Sequence, residues 1–262
     1  MMMEAMVMSN TYFAFFELEL KSLTREPVSL FFMVILPIII TMVFGGAFGH
    51  EATEYGDYVL GIDTVVPVNI VFLLANIGLM GIPITITELK DQEALKRYIA
   101  YPVKYRTYFA SLVSAFAFVG FLSTLLFSVI SFVFYGASWF MSLFDTILLF
   151  VLYLMMIVIF NGLGFLIALL VRGSRTANLI TTGVFISLIF TSGVAMPVDH
   201  LPVIIQRIAA VFPMHHCIRV VQLLWISEFN VAALSTHIIY VILMTIAMVI
   251  FLGKVKVKWD YI

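Results

Sequence analysis

Six long stretches of this sequence contain no Asp, Glu, Lys or Arg: 27–50, 64–87, 107–144, 146–171, 176–198 and 229–253. A membrane helix rises about 1.5 Å per residue, so about 20 apolar residues cross a hydrocarbon core of about 30 Å. Each stretch holds one span, and in the third the "YGASW" at 135–139 marks the outer end. Composition agrees. Of 262 residues, 63% are hydrophobic and 11% charged, and the mean hydropathy is +1.13. A soluble domain carries about 25% charged residues, so there is too little polar surface to coat a water-soluble core. The expected fold is an all-α polytopic membrane protein, one transmembrane domain over 1–262. Its six transmembrane helices are expected at 28–49, 64–87, 108–135, 146–171, 177–196 and 230–253.

An even number of spans puts both termini on one side, and Lys and Arg say which. Twelve of the fourteen lie at the N-terminus, in the loops after spans two and four, and in the C-terminal tail; only Arg207 and Arg219 fall opposite. The positive-inside rule makes the first side cytoplasmic. The expected site is the plasma (inner) membrane, with lipid around the chain and no nucleic acid as partner. The opening "MMMEAMVMSN" lacks the basic start and unbroken apolar run of a signal peptide. One cysteine, Cys217, excludes an internal disulfide framework and a Cys-rich metal site.

Two segments are expected to lie on or dip into the membrane. Over 9–26, Tyr12, Phe13, Phe16, Leu20 and Leu23 share a helix face, with Glu17, Lys21, Thr24 and Arg25 opposite. That predicts an interfacial amphipathic helix, although Glu19 interrupts the pattern. Over 198–228, directly after Pro197, two apolar runs too short to cross are punctuated by Pro202 and Pro213. Backbone that turns at membrane depth must be buried in protein or face water, so a re-entrant helical hairpin on the outer side is expected, with His216 and Arg219 on its second arm. An ordinary outer loop with an amphipathic helix is the competing reading.

The six spans contain no Asp, Glu, Lys or Arg, the charged residues that usually mark proton relays, ion sites and voltage sensors. This counts against an ion-coupled carrier or a channel with a charged ring. The polar residues inside are neutral, among them Asn69, Asn76, Asn161, Thr181, Thr191 and Ser192. Each can equally serve helix–helix hydrogen bonding. His200, His215 and His216 share one outer segment, but adjacent histidines on a helix point about 100° apart, and no H-E-x-x-H or G-x-S-x-G occurs. A P-loop is also absent, so no ATPase activity is expected in this chain.

One stretch stands apart. "ITELKDQEALKRYIAYPVKYR" (86–106) carries eight charges in an otherwise apolar chain. Residues 88–101 lack Gly up to the stop at Pro102, and Glu93, Leu95 and Lys96 are good helix formers. Two readings are open: a short amphipathic helix offered to a partner, or a solvated loop holding topogenic charge. The stretch resembles the cytoplasmic loop of type-2 ABC exporter permeases, which export drugs, lipids and polysaccharides. Asp91, Leu95, Arg97, Pro102, Lys104 and Arg106 fall on that loop's pattern, whereas Glu93 and Ala94 replace its glycine and threonine. A second block, "SGVAMPVDHLPVIIQRIAAVFPMHHCIRVVQ", is similar to the same family at Ser192, Gly193, Pro197, Leu201, Pro202, Pro213 and Arg219.

The resemblance implies a mechanism. A pair of permease chains, expected as a homodimer, would carry separate cytoplasmic ATP-binding subunits, which would hold the ATP and magnesium; this chain would need no cofactor. Glu88, Asp91, Glu93, Leu95, Lys96, Arg97, Tyr98 and Ile99 would form the coupling helix. Spans two and five would line the pathway, with Asn69, Phe72, Asn76, Met80, Phe185, Ile189 and Thr191 as the expected contacts. The expected cargo is a drug, a lipid or a lipid-linked molecule. A glycan exporter is the alternative within the family, and an ATP-independent channel or carrier, or a His-based intramembrane enzyme, the alternatives outside it.

Overall fold

In a computed structural model the protein is described over residues 2–53, 56–93, 105–196, 198–227 and 231–255. It is a helical bundle. Helix α1 (Met2–Arg25) precedes α2, which runs from Pro27–Leu30 through a wider π turn, Phe31–Ile35, into Leu36–Phe48. A small antiparallel hairpin, β1 (Ala52–Thr53) and β2 (Gly56–Leu60), then leads into α3 (Gly61–Asp91). The remaining helices are α4 (Tyr105–Tyr135), α5 (Leu143–Leu170), α6 (Ser174–Thr191), the short α7 (Val203–Ala209) and α8 (Pro213–Trp225), and α9 (Val231–Lys254).

Helices α2, α3, α4, α5 and α9 are long and apolar enough to cross a membrane, and the α7–α8 pair, bent by 87°, resembles a re-entrant segment. The expected fifth span differs. It forms as α6 but stops at Thr191 rather than at 196, because Gly193 turns the chain with φ +96°. Its opening Ser174, Arg175, Thr176 and Asn178 leave it less apolar than the other five.

Helix α3 is the centre, the most enclosed of the long helices. Gly78 lets it meet α5 backbone to backbone: a Cβ there would lie 2.4 Å from the Phe160 carbonyl carbon, and one on Gly164 would lie 1.8 Å from the Gly78 oxygen. Small residues serve this purpose in membranes, where close packing rather than water drives helix association. Helices α2 and α3 each contain a π turn just before a proline, Pro37 or Pro83. Proline has no N–H for the carbonyl four residues back. Across the bundle, the Ser123 hydroxyl of α4 donates instead to the Met33 carbonyl at 2.6 Å. Asn69 Nδ2 of α3 donates to the Pro37 carbonyl at 2.7 Å and to Thr41 Oγ1 at 2.9 Å. Polar side chains thus knit the kinked region of α2 to its neighbours.

The N-terminal helix turns most of the expected face inward: Tyr12, Phe16, Leu20 and Leu23 pack on the bundle and Phe15 joins them, whereas Phe13 is exposed. Their partner is α4: Tyr12 donates to Ser114 Oγ at 2.7 Å, and Phe15 meets Tyr108 edge-on. Glu19, which interrupts the apolar periodicity, is buried on that face and accepts the Tyr108 hydroxyl at 2.8 Å. Burial raises its carboxyl above the usual range, and the tyrosine bond offsets part of the rise.

Candidate functional site

A cavity of about 590 Å³ opens at the β end of the bundle, between α2, α3, the β hairpin, the segment after α6, and α8. Phe44 and Phe48 form one wall, and Val65, Val68 and Phe72 another. Thr64, Ser192, His200, Arg219 and Gln222 add polar groups. The chain shapes the site locally. Asp63, in the first turn of α3, accepts the Leu60 N–H at 2.9 Å and the Ser138 N–H at 2.7 Å, so one carboxylate fixes both the helix start and the α4–α5 connection. An acid also suits the positive end of a helix.

Three of the residues expected to contact cargo or form the hairpin line this cavity: Asn69, Phe72 and Arg219. The others do not. Asn76 is buried and donates weakly to Met80 Sδ at 3.8 Å. Phe185 is buried against Phe72, ring centroids 5.4 Å apart, and Ile189 packs on the core. The Thr191 hydroxyl turns back to the Ser187 carbonyl at 2.8 Å. Asn69, too, spends its amide N–H groups on α2, as described above. The physical reason is that α3 is wrapped by its own chain, so most of these side chains are interior contacts within one copy. Ser192, counted among the neutral polar residues of the spans, does line it, whereas Gln222, Thr64 and residues 193–196 were not anticipated.

The opposite, charged end is more informative. Glu88 and Asp91 do not open a separate helix; they belong to the last turn of α3. Glu93, expected as a helix former, has φ +54° and its N–H bonds the Lys90 carbonyl, so it stops the helix. Leu95, Lys96, Arg97, Tyr98 and Ile99 lie outside the described residues. Two adjacent side chains at this end are used inside the chain. Lys90 Nζ donates to the Ala168 carbonyl at 2.6 Å, at the C-terminus of α5. Asp91 Oδ2 accepts the Ser174 N–H at 2.9 Å, at the N-terminus of α6. The cation meets the negative end of one helix and the anion the positive end of the next. The end of α3 therefore clamps the α5–α6 connection.

The expected hairpin is present as α7 and α8, with Pro202 just before α7 and Pro213 opening α8. Pro197 lies outside the described residues. Helix α8 is buried along most of its length among α3, α5 and α9. His216 faces the Ala210 carbonyl at 2.8 Å and His237 of α9 at 2.7 Å, and stacks on Tyr240 at 3.9 Å. His200 is elsewhere, in the cavity wall. His237, not anticipated, brings α9 to the hairpin. Among the described residues no group of three His, Cys, Asp or Glu is placed to hold a metal ion.

A search of curated proteins finds no match. A family model described as "ABC-2 type transporter" matches residues 10–226, most of the chain. That match runs from α1 through the clamp at Lys90 and Asp91 to the end of α8, and it establishes that this multi-pass chain belongs to the ABC-2 type transporter family, as a transport permease.

Proposed function

We propose that the chain exports amphipathic or hydrophobic molecules, driven by ATP that a separate cytoplasmic subunit hydrolyses. The observation that carries the reading is the course of α3. This helix of 31 residues, about 46 Å long at 1.5 Å per residue, leaves the cavity at Thr64, Asn69 and Phe72. It ends at the charged stretch, where Lys90 and Asp91 grip α5 and α6. A pull on the 94–104 segment acts directly on the helix that lines the cavity. The cavity's phenyl and valyl walls suit an apolar body, and Arg219 and Gln222 suit a polar head.

The skew of Lys and Arg supports a cytoplasmic charged end in the plasma membrane. Helix α6 supports a pair of permeases. It buries only the stripe Ala177, Thr181, Phe185 and Leu188, and leaves Asn178, Gly183 and Ser187 uncovered on a helix less apolar than the five long spans.

The test is isolation of the chain from its native membranes, with assay of ATPase activity and of transport in reconstituted vesicles. We expect a stoichiometric ATPase and ATP-dependent transport, both lost in Arg97→Glu. A chain that purifies alone, with no ATPase, overturns the reading.

A further inference from the structure

A second cavity, about 420 Å³, lies at the charged end between α4, α5 and α9, with Ile82 of α3 at its back. It is separate from the cavity at the β end; the two share no lining residue. Phe109, Val113, Val158 and Phe165 line it, and Phe109 and Phe165 meet edge-on at 5.0 Å. Its hollow comes from residues without bulk, Ala110 and Gly253; nothing lies within 4 Å of where a Cβ on Gly253 would stand. The rows of lining residues continue into exposed apolar side chains, Phe121 on α4, Leu154 on α5 and Val249 on α9. The cavity is therefore a groove that opens sideways toward the faces of the bundle that meet lipid.

Among the described residues its polar lining is one basic residue, Arg106, and one neutral amide, Asn161. Arg106, in the first turn of α4, lines the groove and is exposed. Lys254 stands between Gly253 and Val255, both lining residues, at the end of α9, and is exposed as well. Long basic side chains at helix ends reach the headgroup layer while their stems stay in apolar surroundings.

We propose that this groove binds one anionic phospholipid of the leaflet at the charged end, an acyl chain lying along Phe109, Ala110 and Phe165 and the phosphate at Arg106 and Lys254. The leaflet's being cytoplasmic rests on the orientation argued under Proposed function; the binding does not. The groove supplies apolar area for a chain and the rim supplies the complementary charge, each basic residue near such a surface contributing about a fivefold change in affinity.

The test uses the full chain, with whatever copurifies, in nanodiscs of phosphatidylcholine containing a minor fraction of phosphatidylglycerol. Detergent extraction follows, and the retained lipid is read by native mass spectrometry. We expect one phosphatidylglycerol per chain, enriched over its share of the bilayer. Arg106→Gln with Lys254→Gln should lower retention by roughly 25-fold, and Ala110→Trp, placed on an exposed lining residue, should abolish it by filling the groove. A photoactivatable acyl chain should label Phe109 or Phe165 in the wild type, which keeps the test decisive where a variant fails to fold. Retention without preference for the anionic lipid, or unchanged in the double variant, or labelling confined to other faces, overturns the proposal. The readout needs neither ATP nor an ATPase, so its failure is separable from failure of the exporter reading.

Discussion

Glu19 and Asn69 show how single polar side chains work in a chain built for lipid. Glu19 is buried against α4, and burial, partly offset by the Tyr108 hydroxyl, holds its carboxyl above the ordinary value of 4.5. For an acid raised in the folded state, the stabilisation is complete below the unfolded value and is lost as pH climbs through the folded one. The thermal midpoint in detergent should therefore fall as pH rises above 4.5 in the wild type and stay flatter in Glu19→Gln, which keeps an acceptor for Tyr108. Parallel profiles would sink the idea. Asn69 has no charge, but its amide holds Pro37 and Thr41 of α2. Interhelical hydrogen bonds in membranes average about 0.6 kcal/mol and reach about 1.7, so Asn69→Leu should cost about 1–2 kcal/mol in unfolding titrations. A loss of transport without any loss of stability would instead return Asn69 to the role of a cargo contact.

Among elements, the α3–α5 crossing and the α3 clamp matter most. Gly164→Ala should lower stability at the upper end of the roughly 1–3 kcal/mol typical of overpacking, because its Cβ would meet the Gly78 oxygen at 1.8 Å. Gly46→Ala, with nothing within 4 Å, should be neutral or slightly stabilising; equal losses in a thermal assay would refute the close crossing. The clamp separates two functions that the charged stretch had merged. Asp91→Lys puts a cation at the start of α6, so we expect the ATPase still to copurify while ATP no longer drives transport; wild-type transport would remove the clamp from the mechanism. These elements differ in how far sequence reveals them. Most spans were legible because lipid forbids charge, and the bent pair because prolines divide two short apolar runs. Periodicity could not show where α3 ends, since Glu88–Asp91 continue the same helical phase as the span before them. Nor could it show that Lys90 reaches a carbonyl 78 residues later, a contact made only by tertiary packing. Glu19 was misjudged for a related reason: a helical wheel assumes that the buried side faces lipid, whereas α1 faces a tyrosine.

At the scale of the whole molecule, the open question is what covers α6. Its uncovered face carries Leu179, Ile180 and Phe190, which lipid would accept, but also Asn178 and Gly183, which lipid gives no reason to place there. Ser187 and Thr191 satisfy themselves on their own helix, and that lowers the cost of exposure without explaining the choice. Glycine and small polar residues are what close helix pairs in membranes use, and two identical chains about a two-fold axis bring the same residue face to face. The chain offers a clean way to test this, because its one cysteine, Cys217, is buried. Asn178→Cys, Gly183→Cys and Ser187→Cys, oxidised one at a time in native membranes, sample different sides of the uncovered surface, about 100° apart per residue. At least one should form a covalent pair of twice the chain's mass, since a disulfide needs Cα atoms about 5.5–6 Å apart and only a position near the axis achieves that with itself. Ile239→Cys, exposed on α9, serves as the control for chance collision. Pairing at α6 without pairing at Ile239 places the second copy against α3's outer neighbour, where the helices that grip the charged end of one chain would face those of the other. Equal pairing at all four positions, or none on α6, means that a different surface or a different permease covers it.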